Sequence, residues 1–232
     1  SWLKVAAGEK AKVLEAAAAC SSGHMLEVGT YCGQSAIRLA LARPDAQIVT
    51  LELDPVHAII ARTLVAFAGL DAIRVWTGHS RDLLPLLAEK YAEKAFGFVF
   101  MDQRGSRYEE DLATLESLGL LSSEAVIVAD NVLKPGAPRL LWRLCKSKDF
   151  ETQVVKVFEF AMPVEDWMSV SFRQPGPPGT PLPPGELTEL SQAADEMRNR
   201  AQTAGGVSFA EWSDFTDVMR ERLRHHGIVA TA

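Results

Sequence analysis

Five short, almost uninterrupted apolar runs, at positions 24–28, 47–51, 73–76, 97–101 and 125–129, alternate with helix-patterned stretches. A strand covered on one face alternates apolar with polar residues, whereas a strand that stays apolar throughout is covered on both. Runs of this length separated by helices predict βαβ units and a parallel sheet with helices on both faces, a doubly wound three-layer α/β fold. Positions 10–19, 35–42 and 55–68 read as helices, and a Leu-rich helix follows Gly78. The 232 residues are enough to bury one sizeable core.

Past the fifth run the pattern changes. Positions 167–172 alternate apolar with polar or small residues, as a half-exposed strand near a sheet edge does. Positions 175–185 hold half of the 12 prolines, a linker composition. Positions 186–204 are helical and mostly polar. Ser208, with Glu211 three residues on, has the capping-box pattern and opens a second amphipathic helix ending at Gly227. The expected organisation is a domain over 1–174, a linker over 175–185 and a helical extension over 186–232. The extension either packs on the core through Phe209, Trp212, Phe215 and Met219 or leads to a further domain.

Charge and cysteine content exclude several classes of function. Lys and Arg total 24 against 30 Asp and Glu, a net charge of −6, which argues against a generally basic nucleic-acid binder. Three scattered cysteines (Cys20, Cys32, Cys145) make neither a disulfide framework nor a Cys-rich zinc site, and they suit a reducing compartment. No apolar run approaches the ~20 residues that span a bilayer. A cytoplasmic location is expected, although the chain opens on Ser1 rather than Met and an upstream anchor stays open.

In an open α/β sheet, ligands bind beyond the carboxyl ends of the strands. Glu27 and the turn Gly29-Thr-Tyr-Cys-Gly33 follow the first run. The glycines allow close backbone approach, and Glu27 suits the ammonium group of a cationic ligand. The Gly-x-x-x-Gly spacing is not the Gly-x-Gly-x-x-Gly of dinucleotide binders, and no Walker lysine follows. Glu52 closes the second run, where an acid can hold ribose hydroxyls. Asp102 and the pair Asp130-Asn131 close the fourth and fifth. Two carboxylates and an amide oxygen form a hard donor set suited to Mg2+, though Asp and Asn at such positions also serve as plain helix caps.

These residues, together with Gly8-Glu-Lys-Ala-Lys12, Phe67-Ala-Gly69, Gly78-His-Ser-Arg-Asp82, Arg107-Tyr108 and Pro135-Gly-Ala-Pro138, resemble the catechol O-methyltransferases in order over about residues 2–173. The resemblance implies a Rossmann-like methyltransferase fold. It also implies S-adenosylmethionine- and Mg2+-dependent methyl transfer to one hydroxyl of a catechol or related phenol. By position it implies cofactor contacts at Glu27, Gly29, Tyr31, Ser35, Glu52, Ser80, Arg81 and Asp102, and Mg2+ ligands at Asp102, Asp130 and Asn131. The acceptor side is expected to hold Trp2, Lys4, Arg104, Asn131 and Pro135.

The sequence departs from that family at a sensitive place. The family carries a lysine, its general base, three residues after the first metal aspartate; here the position is Gly105. Arg104 stays protonated at ordinary pH and is a poor substitute. No catalytic residue is therefore assigned: metal acidification alone, a lysine such as Lys4, or residual activity each account for the change. Losing a general base slows a reaction about 10²–10⁴-fold. A working but slower enzyme is expected, accelerated by a lysine at position 105. The alternative is a methyltransferase-like binding module that docks a partner through the extension. Arg104 and Lys4 stand where the family has tryptophan and methionine, and two added cations predict an acceptor bearing a carboxylate. The family's carboxylate beside the metal falls on Phe160, with Glu159 adjacent.

Overall fold

Seven strands form one sheet: β1 (His24–Val28), β2 (Ile48–Glu52), β3 (Ile73–Thr77), β4 (Phe96–Met101), β5 (Leu121–Ala129), β6 (Phe150–Phe158) and β7 (Glu165–Arg173). Their spatial order is β3-β2-β1-β4-β5-β7-β6. This computed structural model describes residues 5–160, 164–176, 179, 181–203 and 205–231. Strands β1 to β5 run parallel, and β7 is antiparallel to both β5 and β6. The predicted doubly wound α/β architecture is the one observed.

The continuous apolar runs divide by residue parity between two cores. Phe96, Val99 and Met101 of β4 face one, and Phe98 and Phe100 face the other. Helices α1 (Glu9–Ala19) and α2 (Gln34–Ala42) cover the second face; α4 (Ser80–Lys90), α5 (Gly105–Ser117) and α6 (Pro138–Lys146) cover the first. Helix α3 (Pro55–Phe67) opens as its sequence dictates, with Pro55 at its first position and Asp54 Oδ1 accepting from the Val56 amide at 2.8 Å. β1 lies between β2 and β4, so the winding direction reverses there and a crevice opens at the carboxyl ends of these strands.

One expectation needs correction. The strand at 165–173 lies near the sheet edge as expected, one strand in from it, but it is not half-exposed. It pairs on both sides and is largely buried, with Ser169 and Ser171 inaccessible. The edge strand is β6, whose sparse apolar positions, interrupted by Glu151, Gln153 and Lys156, hid it in the sequence.

The C-terminal helices α7 (Gly185–Ala201) and α8 (Phe209–His225) pack on the sheet domain. Leu187, Leu190 and Ala194 of α7, and Met219 and Leu223 of α8, belong to the same core as α4 to α6. The capping box at Ser208 and Glu211 is formed. After α8 the chain extends along β6, where Lys156 N donates to Thr231 O at 2.9 Å and Thr231 N to Val154 O at 2.8 Å. Among the described residues no helix is long and apolar enough to cross a membrane.

Candidate active site

Gly29 stands where β1 meets β4. Its φ is +105°, and a Cβ there would lie 2.1 Å from the Asp102 carbonyl oxygen, so only glycine lets the two strand ends close together. One residue before the closing turn of β1, Glu27 is fully buried. Its Oε2 accepts from the Thr50 hydroxyl, which Thr30 bonds in turn. Its Oε1 is buried with no hydrogen-bond partner among the described residues. Burial pushes the Glu27 carboxyl up to about 7, against the pull of the nearby Ser35 and Thr50 hydroxyls. Glu52 lies at the end of β2, one strand over. Its two oxygens accept from the amides of Tyr31 at 2.7 Å and Asp54 at 2.8 Å, which fixes the carboxylate against the glycine turn.

Across the crevice, the backbone amide of Asp102 at the end of β4 donates to Val28 O at 2.9 Å, while its carboxylate receives no hydrogen bond or ion pair from any described residue. Burial and the neighbouring Asp130 carboxylate push it up to about 8, with Lys10 pulling down. Asp130 at the end of β5 accepts from Lys10 Nζ at 2.8 Å and, through the same Oδ1, from the Asn131 amide at 2.7 Å. Asn131, held in the left-handed region at φ +55°, donates its Nδ2 to Asp166 Oδ2 at 2.8 Å. Its Oδ1 accepts nothing from the described residues. Among these residues no group of three or more His, Cys, Asp or Glu forms a metal cage. The available donors are two carboxylates and one amide oxygen.

Lys10 is the unexpected member of the cluster. It is 1% exposed, and its ammonium reaches Asp130 at 2.8 Å, Glu159 at 2.9 Å and Asp166 at 2.9 Å. Burial alone lowers an ammonium, but Asp166, Asp130 and Glu159 overcome it and hold Lys10 well above its ordinary value. Glu159, and not Phe160, is the carboxylate beside the site. Phe160 is 53% exposed, whereas Glu159 meets Lys10 and lies 3.4 Å from Asn131 Nδ2. Consecutive residues at a strand end face opposite ways, so a one-residue offset exchanges inside for outside.

The rim differs from the expected picture. Arg104 is not a free cation: its Nη2 donates to Asn199 Oδ1 at 3.0 Å, and its Nε lies 3.7 Å from Asp195 Oδ1, both on α7. The case for an acceptor carboxylate loses this half of its support, because Asp195 already balances the charge. Helix α7 also binds the same loop through Arg198 Nη1 to Gln103 O at 2.8 Å and through Ser106 Oγ to Asp195 at 2.7 Å.

Gly105 begins α5 beneath the turn Val132–Gly136, and a Cβ there would lie 2.4 Å from the Gly136 carbonyl oxygen. No side chain, lysine included, enters this position unless the turn moves. The expected acceleration by a lysine at 105 therefore lacks the space it requires.

Ser80 is buried at the start of α4 and donates to Asp111 Oδ1 at 3.1 Å, while Gln103 bonds the other Asp111 oxygen. Arg81 is exposed beside Asp82. Pro135 is half-buried in the turn after Asn131. Trp2 and Lys4 lie outside the described residues.

A model of the O-methyltransferase family matches residues 7–161, which carry every strand-end residue above. The chain belongs to the O-methyltransferase family. Catechol O-methyltransferase of Sus scrofa is 40% identical over 160 residues, 68% of this chain and 86% of that protein. Catechol O-methyltransferase of Mus musculus is 38% identical over 66% of this chain, but only 58% of the mouse protein is spanned. An O-methyltransferase from Streptomyces achromogenes involved in tomaymycin synthesis, solved in complex with SAM, superposes with a TM-score of 0.64 at 25% identity. That match covers 74% of this chain and 82% of that one. The family match ends at residue 161, so β7 and both C-terminal helices of this O-methyltransferase lie beyond it. Sequence reasoning assigned no role to Lys10 or Asp166, although Lys10 lies within the Gly8–Lys12 run that carries the resemblance.

Proposed function

We propose that this O-methyltransferase transfers a methyl group from S-adenosylmethionine to one hydroxyl of a catechol-type small molecule, in a reaction that depends on a Mg2+ which Asp102, Asp130 and Asn131 would hold. The observation that carries this reading is a pair of acidic groups at neighbouring strand ends that no described residue satisfies: the buried Glu27 Oε1 on β1 and the Asp102 carboxylate just past β4. The first wants a cationic hydrogen-bond donor and the second wants a metal or a proton. An amino-acid sulfonium beside a divalent cation satisfies both.

In this reading Glu27 binds the ammonium of the donor, Gly29, Tyr31 and Ser35 shape the turn around its methionine part, and Glu52 takes the ribose hydroxyls. Ser80 and Arg81 border the adenine. Asp102, Asp130 and Asn131 would hold Mg2+, and their donor set of two carboxylates and an amide oxygen suits that hard ion. When bound there, the metal supplies Lewis-acid polarisation that lowers the pKa of the acceptor hydroxyls. The sulfonium supplies a methyl group that is already strongly electrophilic. The donor leaves as a neutral thioether, the acidified hydroxyl gives its proton to water, and what remains for the protein is alignment, worth up to ~7–11 kcal/mol when donor and acceptor are held in line. Pro135 in the turn after Asn131 borders the acceptor. Lys10 keeps its proton among three carboxylates, so it offers charge and not basicity.

Titration of Glu27 makes the donor site pH-sensitive. Its carboxyl sits up at about 7, so it is protonated below that pH and charged above it. S-adenosylmethionine affinity, measured calorimetrically without metal, is expected to rise with pH through about 7 and then level off. Below pH 7 the slope approaches tenfold per unit. Glu27→Gln should bind more weakly at pH 8 and lose this slope. A variant with wild-type affinity and wild-type pH dependence would remove Glu27 from the donor site.

A further inference from the structure

Lys10 lies within the run Gly8–Lys12 but was given no role there, and Asp166 belongs to no run read from the sequence; together they form a dense polar cluster among the described residues. Asp166 is the second residue of β7 and is fully buried. Its Oδ1 accepts from the backbone amides of Lys134 at 2.9 Å and Trp167 at 2.8 Å, and its Oδ2 accepts from Lys10 Nζ at 2.9 Å and Asn131 Nδ2 at 2.8 Å. Lys10, carried on α1, reaches Asp130 at 2.8 Å with the same ammonium. The pair thus ties α1, the end of β5 and the start of β7 to the two consecutive residues Asp130 and Asn131.

Burying an ammonium among three carboxylates is a poor way to gain stability, because desolvation offsets most of the attraction and apolar side chains of the same volume do as well or better. What such a cluster does provide is fixed direction. Asp166 takes the Asn131 amide nitrogen, which leaves the amide oxygen as the end available to a cation. Lys10 takes one side of the Asp130 carboxylate and sets its rotation.

We propose that Lys10 and Asp166 are positioning residues that pre-set Asp130 and Asn131 as a divalent-cation site, Lys10 through the Asp130 carboxylate and Asp166 through the Asn131 amide. This rests on the reading of Asp102, Asp130 and Asn131 as the Mg2+ donors. Glu159 is the third carboxylate on Lys10, 2.9 Å from its ammonium.

Mg2+ alone, titrated calorimetrically into the full chain with no donor or acceptor present, tests the proposal. Lys10→Met strands three carboxylates and is the harsher variant. Asp166→Asn keeps the shape and an oxygen for the two backbone amides, and it is the variant that decides. It is expected to unfold cooperatively, to bind S-adenosylmethionine without metal as the wild type does, and to bind Mg2+ about 10- to 100-fold more weakly, the usual loss when a partner behind a metal ligand is removed. Lys10→Arg, which keeps the charge, should recover part of the Mg2+ affinity that Lys10→Met loses. A merely structural role would lower the unfolding midpoint and leave Mg2+ affinity in place. Wild-type protein that binds Mg2+ beside an Asp166→Asn variant that binds within about twofold of it overturns the positioning role while leaving the metal site standing. Wild-type protein that takes up no Mg2+ overturns the metal site and the positioning role together.

Discussion

A chain ending at Pro184 is expected not to fold. The extension looks separable by composition, but Leu187, Leu190, Met197, Met219, Leu223 and Ile228 are each less than a tenth exposed, and most of them complete the core above α5 and α6. Burying a side chain of this size stabilises by about 1.5–3 kcal/mol. Six of them at the low end reach about 9 kcal/mol, comparable with the ~5–15 kcal/mol that holds a whole domain together. Truncation would also strip α7 from α5 and α6, against which it packs. It would free the loop after Asp102 from Asp195, Arg198 and Asn199. Thermal unfolding followed by far-ultraviolet circular dichroism checks this. The expected result is loss of the cooperative transition, and a truncated chain melting within a few degrees of the full one would show that the helices are an attachment.

Gly29→Ala is the single substitution expected to do the most damage. The backbone there is at φ +105°, which costs a residue with a Cβ about 1–3 kcal/mol. The new methyl would sit 2.1 Å from the Asp102 carbonyl oxygen, and relieving such overlap costs about 1–3 kcal/mol more. Because that oxygen belongs to Asp102, the relief parts β1 from β4 where the donor and the metal are proposed to meet. Gly69→Ala is the matching control: its φ is +67°, and a Cβ there meets nothing within 4 Å. Denaturant unfolding should place Gly29→Ala at least 1 kcal/mol below Gly69→Ala, which carries the conformational cost alone. Calorimetry should find S-adenosylmethionine binding lost in the first and kept in the second. Equal stability and equal binding in the two variants would mean that the strand ends are not packed as described.

The strand-end residues were legible because one physical rule supplies both strand and site. An apolar run that must be covered on both faces stops where the chain meets solvent, and the polar residue at that stop stands at the ligand-binding edge. Glu27, Glu52, Asp102 and Asp130 were each found in this way. Lys10, Glu159 and Asp166 were not, because their meaning lies in contacts across 149 and 156 residues of sequence. Lys10 in particular lies on a helix whose charged residues otherwise read as a solvated face. Strand β6 escaped because an edge strand exposes alternate positions and its polar residues break the run. The docking of α7 and α8 was left open by a mostly polar sequence in which a few well-spaced Leu and Met residues carry the contact. Gly105 was legible as an absence, but its reason was not: the Gly136 carbonyl that fills the space beside it comes from a turn 31 residues on.

Transfer of a labelled methyl group from S-adenosylmethionine to a simple catechol, with Mg2+ and again with EDTA, tests the central claim most directly. The account predicts a singly methylated catechol with Mg2+, no product with EDTA, and recovery when Mg2+ is returned in excess. Protein that binds S-adenosylmethionine yet forms no methylated catechol at any Mg2+ concentration, or forms it equally well in EDTA, would contradict it.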